Sequence, residues 1–187
     1  MLLRPTSVNA HQFQHPKDLA VTLDHRGLTM ALQFRMDAGA TTIRARMAFD
    51  RDTDGQLSAS ERRALQAFLL ERALRSLRVR IDGRPVRLEP KQSGLVGEHR
   101  RVDDGRPLQL WARFEVARRG LMSSKKGVEI HIFDDASQQH HVPVSIRYAP
   151  KIWSVQRSGR LVSPSIGRPF AVYRQNPLQI EVMPADP

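Results

Sequence analysis

Residues 50–61 read D-R-D-T-D-G-Q-L-S-A-S-E, with four carboxylates set around one glycine. A hard divalent cation needs such a set: Ca²⁺ takes about six to eight oxygens at roughly 2.3–2.6 Å. Asp50, Asp52 and Asp54, at loop positions 1, 3 and 5, each offer a side-chain oxygen from a tightly curling backbone. Gly55, at position 6, makes the sharp turn that a residue with a Cβ resists. Gln56, at position 7, contributes its main-chain carbonyl, and Ser58, at position 9, approaches the ion directly or through water. Glu61, at position 12, supplies two oxygens because the helix that follows fixes its direction. Leu57 points inward as an apolar anchor, and Phe49 packs the incoming helix.

These spacings match the EF-hand calcium loop at every expected position, so the expected metal ligands are Asp50, Asp52, Asp54, Gln56, Ser58 and Glu61. The plainer reading is an acidic surface turn before a capped helix; the complete match favours the ion. Mg²⁺ fits less well, because it wants six ligands at about 2.0–2.1 Å and a bidentate glutamate enforces a larger shell. Four negative charges in one loop repel, so Ca²⁺ is expected to stabilise the fold. A second loop is absent, since Asp103-Asp104-Gly105 and Asp134-Asp135 lack the spacing. A lone hand must be braced by the rest of the domain or by a second copy. The domain is the favoured brace, and it suits a structural site better than a switch.

Two helices must flank this loop. Residues 41–49 carry Ile43 and Met47 at helical spacing. Residues 58–77 form the clearest helix. Ser58 and Glu61 make a capping box, and Leu65, Phe68, Leu69, Leu74 and Leu77 supply the expected apolar face. Elsewhere the period is two. Residues 18–24 and 28–36 read as strand–turn–strand about Arg26-Gly27, with Leu28, Met30, Leu32, Phe34 and Met36 inward. Residues 78–81 and 86–88 flank Asp82-Gly83, a hairpin signal. Further strands are expected at 108–116, 127–133, 142–148, 170–173 and 178–182; Pro143 argues for an edge or a bulge, and 163–168 for a loop. The sum is mostly β: an antiparallel, Ig-like β-sandwich with an EF-hand-like helix-loop-helix inserted at about 41–77. Residues 11–187 make the single domain. Residues 1–10 read as a leader or the remnant of a trimmed signal, with Val8-Asn9-Ala10 resembling a cleavage site.

Composition excludes several chemistries. The chain has 187 residues and no cysteine, so disulfides, thiolate metal sites and cysteine nucleophiles are impossible. No apolar run is long enough to span a membrane as a helix. There is no G-x-S-x-G, H-E-x-x-H or phosphate-cradling glycine loop, and no catalytic residue is expected. The 30 Lys and Arg residues exceed the 19 Asp and Glu, for a net charge of +11. That field favours an anionic surface or nucleic acid as partner. Nucleic acid is disfavoured, because no block of five or more like charges occurs and only 6% of residues are aromatic. His11, His15, His131, His140 and His141 lack recognised ligand spacing and read as surface histidines, and Glu129 and His131 as a surface pair on one strand face.

The order of parts resembles a known family. His11-x-x-x-His15-Pro16 leads into two strands, the aspartate-rich loop, its helix, and L-R-V-R-I-D-G-R-P at 77–85. This is similar to the extracytoplasmic N-terminal domain of bacterial nickel/cobalt exporter-like and hydrogenase/urease-accessory-like membrane proteins. The likeness covers about residues 11–90; beyond that, 130–148 is only loosely similar to the family's later strand pair. It implies a place in the periplasm or cell envelope, where calcium would keep even a weak loop filled. It implies nickel binding at no residue that can be named. With no transmembrane helix in the sequence, transport is not expected. The expectation is a non-catalytic, calcium-binding extracytoplasmic domain with a binding or assembly role toward a protein or an anionic surface. The alternative is a cytoplasmic basic protein that binds nucleic acid or another polyanion around a structural calcium site.

Overall fold

The computed structural model describes residues 17–96, 100–117, 121, 127–135, 142–164, 169–172 and 174–185. The alternating run at the start folds as expected: β1 (Lys17–Asp24) and β2 (Gly27–Met36) form a hairpin in register from Lys17 opposite Phe34 to Asp24 opposite Gly27. Period two sends alternate side chains to opposite faces. Leu28, Met30, Leu32, Phe34 and Met36 are accordingly buried, while Ala31, Gln33 and Arg35 are exposed.

Two helices follow, α1 (Ala40–Met47) and α2 (Ala59–Leu74). The remaining strands are β3 (Leu77–Ile81), β4 (Arg84–Pro85), β5 (Gln92–Val96), β6 (Leu108–Ala117), β7 (Val128–Asp134), β8 (Val142–Tyr148), β9 (Trp153–Arg157), β10 (Arg160–Leu161), β11 (Phe170–Val172) and β12 (Leu178–Pro184). They form two six-stranded sheets, ordered β11-β8-β1-β2-β6-β5 and β10-β9-β12-β7-β3-β4. The sheets make a β-sandwich with one continuous core. Leu23, Met30, Leu110 and Phe114 from the first sheet share it with Val79, Ile130, Ile132, Val155 and Ile180 from the second. Trp153 is fully buried, and its indole N–H donates to the Asp24 carbonyl oxygen at 2.8 Å. Lys17 Nζ bridges to Asp134 Oδ2 at 2.8 Å and donates to Ser76 Oγ at 2.7 Å, tying β1 to the second sheet. Among the described residues no helix is long and apolar enough to cross a membrane.

Several expectations needed correction. The sandwich is not wholly antiparallel, because β1 runs parallel to β8 from Leu19 opposite Val144 to Leu23 opposite Tyr148. No hairpin joins these strands, so nothing local imposes the antiparallel sense. The second arm of the Asp82-Gly83 hairpin is Arg84–Pro85 rather than 86–88, although the Val86 N–H still donates to the Val79 carbonyl oxygen at 2.9 Å. β8 is not an edge strand. Pro143 sits where β8 faces the short β11 and has not yet met β1, so its missing N–H costs little. Strands β5, β9 and β10 were not expected, because each is short and only partly apolar. The buried row of α2 is Glu61, Leu65, Leu69 and Ala73, and Phe68 is 39% exposed. In α1 the expected polarity is reversed: Thr42 and Arg46 are buried and Met47 is exposed. The leader, His11, His15, His140, His141 and most of the 163–168 loop lie outside the described residues.

Candidate metal centre

The loop from residue 50 to 61 joins α1 to α2. Two residues with positive φ, Thr53 at 57° and Gly55 at 80°, curl it. Glycine accepts that conformation without strain. Each aspartate folds back on the chain. Asp50 Oδ2 accepts the Gly55 N–H at 3.1 Å, Asp52 Oδ1 accepts the Asp54 N–H at 3.4 Å, and Asp54 Oδ1 accepts the Gln56 N–H at 2.7 Å. The outcome is a convergence: one carboxylate oxygen from each of Asp50, Asp52 and Asp54 lies within 4.8 Å of the others. Asp50 Oδ1 is buried and accepts no hydrogen bond. A carboxylate oxygen withdrawn from water without a donor is costly unless a cation compensates it.

The other expected ligands are placed differently. Ser58 is the N-cap of α2, and its Oγ accepts the Glu61 N–H at 3.4 Å. Glu61 stands outside the group of three aspartates. Its Oε1 accepts the Arg51 N–H at 2.6 Å, and its Oε2 accepts both the N–H and the hydroxyl of Ser58 at 2.8 Å. The Arg51 amide first, then the Ser58 amide and hydroxyl, hold the Glu61 carboxyl below the usual glutamate range. It is therefore ionised at neutral pH. Gln56 has an exposed side chain, and its expected ligand is the main-chain carbonyl. Leu57 is buried, and the Phe49 and Phe68 rings meet at 5.4 Å, bracketing the loop with apolar contacts.

Sequence reasoning expected the domain to brace the loop but did not identify the segment that does so. Residues 100–102 pair with the middle of the loop. The Leu57 N–H donates to the Arg100 carbonyl oxygen at 2.7 Å, and the Val102 N–H donates to the Gly55 carbonyl oxygen at 3.1 Å. Gln56 and Arg101 form an antiparallel bridge. Just beyond, the Gly39 N–H donates to the Gly105 carbonyl oxygen at 2.7 Å. Arg46 donates from Nη1 to the Asp104 carbonyl oxygen, and from Nη1 and Nη2 to that of Arg106 at 3.3 Å. Burial draws the Arg46 pKa below the ordinary arginine value, with Asp104 opposing the shift. This one segment thus holds α1 and the loop and continues into β6. The Asp103-Asp104-Gly105 turn was its only trace in the sequence.

Of the acidic pair Asp134-Asp135, Asp134 pairs with Lys17, and Asp135 with Arg78 at 3.2 Å. Glu129 and His131 do form a pair on the outer face of the second sheet, 3.1 Å apart. The His131 contact first, then Gln179, keeps the Glu129 carboxyl below its usual range.

No protein-family model matches the chain, and no curated protein matches it. Among solved structures, the pilus backbone RrgB of Streptococcus pneumoniae aligns with 93% of this chain and 50% of its own, at 6% identity and a TM-score of 0.23. The chain thus spans about half the length of that structure, and so loose a likeness carries no conclusion about function.

Proposed function

We propose that the protein is a non-catalytic calcium-binding domain, with one EF-hand loop that holds Ca²⁺ in a structural role. The observation that carries this reading is the convergence of Asp50, Asp52 and Asp54, of which Asp50 also has a buried oxygen, Oδ1, with no donor. Asp50, Asp52 and Asp54 would bind through side-chain oxygens and Gln56 through its carbonyl. Ser58 would approach directly or through water. Glu61 would complete the shell by surrendering the Ser58 hydroxyl, since a carboxylate offers about four lone-pair sites and three are in use. The ion would neutralise four clustered carboxylates and join the ends of the loop. No proton, electron or bond transfer is assigned to it.

The resemblance of residues 11–90 to exporter-type N-terminal domains supports placement in the periplasm or cell envelope. There the domain would serve binding or assembly toward a protein or an anionic surface, in keeping with its net charge of +11. The test is thermal unfolding in EDTA, then with Ca²⁺ or Mg²⁺ added, beside Asp50→Ala. The expected outcome is a calcium-specific rise of several degrees that the variant loses. An equal melting temperature in EDTA and calcium would overturn the reading.

A further inference from the structure

The second sheet ends at β10 and the first at β11, and a cleft of about 360 Å³ opens between these edges, a volume typical of small-ligand sites. Its walls are apolar: Ile146 from β8, Val162 just beyond β10, and Phe170 from β11. The Tyr148 hydroxyl donates to the Val162 carbonyl oxygen at 2.5 Å, and the Val162 N–H donates to the Val155 carbonyl oxygen at 2.8 Å. The first sheet is thereby tied to the chain that forms the opposite wall, which fixes the spacing of the cleft.

The mouth is basic. β9 and β10 turn through Ser158 and Gly159, with φ values of 49° and 74°, and this two-residue turn sets Arg157 directly opposite Arg160. Direct partners in an antiparallel pair share a face, so two like charges are neighbours, an arrangement that weakens a hairpin. Both arginines line the cleft, and no Asp or Glu does. Arg157 packs over the Phe170 ring, with its guanidinium carbon 4.8 Å from the ring centre. Such stacking orients the guanidinium and leaves its in-plane N–H groups for oxygen acceptors. Among the described residues neither arginine is joined to a carboxylate. The fold gains nothing from pairing two cations here, so their placement calls for another reason.

We propose that this cleft binds an organic phosphate, a dianionic head carried on an apolar body. Two guanidinium forks side by side match a doubly charged head, which would also relieve their mutual repulsion. Phe170, Ile146 and Val162 would cover the body. The proposal does not rest on the calcium reading, because no residue of the acidic loop lines the cleft.

The test is an NMR titration of the full chain in EDTA with phenyl phosphate, following the backbone amide signals. Saturable shifts are expected at Arg157, Arg160 and Phe170, with the signals of α2 still. Arg160→Gln should weaken binding about tenfold or more. The free variant should melt no earlier than Arg72→Gln, which removes the same charge from the exposed side of α2. No saturable shift in the unmodified chain would overturn the proposal. So would equal binding by inorganic phosphate, benzoate or benzyl alcohol, or tighter, steeply salt-dependent binding of a DNA oligonucleotide at the same signals. An Arg160→Gln variant that binds as the parent does, or that melts below Arg72→Gln, would put the arginine pair in the service of the fold and overturn it as well.

Discussion

Asp50 and Glu61 divide the work of the loop between them. Asp50 holds Gly55 with one oxygen and leaves the other free of donors, whereas Glu61 spends both of its oxygens on the backbone of the loop and the cap. Glu61→Gln keeps one acceptor for the cap and removes the bidentate carboxylate. It should weaken calcium binding, measured by calorimetry, by at least about tenfold while the apo protein stays folded. Glu129 supports a pH prediction. Its carboxyl is depressed in the folded state, so its contribution is present above the ordinary glutamate range and is lost as pH falls through the folded value. Urea unfolding of Glu129→Gln should therefore show a shallower loss of stability in acid than the parent. An unchanged acid limb would refute that assignment. The convergence of Asp50, Asp52 and Asp54 was legible from residue types, because spacing in a short loop translates almost directly into geometry; the place of Glu61 outside that group was not.

At the level of elements, the helix-loop-helix is held at two places. The cap at Ser58 starts α2, and Ser58→Ala should cost about 1 kcal/mol of stability. The segment at 100–106 holds the loop at the second place, through the main chain of Gly55 and Leu57. Arg46→Met would leave the Asp104 and Arg106 carbonyl oxygens without their donor, at a cost of about 2 kcal/mol. If the segment is the brace, the same variant should also weaken calcium binding; unchanged affinity would show that the loop needs no such support. The reversed polarity of α1 has the same origin. Thr42 and Arg46 on its inner face donate to backbone carbonyl oxygens, so a threonine and an arginine are buried and a methionine is left outside. Apolar spacing within eight residues could not reveal that.

Across the whole molecule, two sheets close on one core and the described termini of that core are pinned by polar contacts. Lys17 and Asp134 join the first strand to the second sheet, with Asp134 almost wholly buried. Lys17→Met would remove that ion pair, and a loss of up to about 3 kcal/mol in denaturant unfolding is expected. A loss within a few tenths of a kcal/mol would mean that the ion pair contributes little to stability. The parallel contact of β1 with β8 belongs to this scale as well. It brings together segments separated by most of the chain, and no local rule specifies such a partner.

The sequence by itself determined the mostly-β class, the inward face of β2, the two helices and the spacing that brings Asp50, Asp52 and Asp54 together. Each of these is written in a period of two, a helical repeat or a short fixed spacing, all of which act between near neighbours. Tertiary structure alone decided which strands are adjacent, that β5, β9 and β10 exist, that Arg46 is buried, and that residues 100–106 support the loop. Those outcomes depend on backbone groups finding partners far along the chain, and a carbonyl oxygen leaves no mark in the sequence.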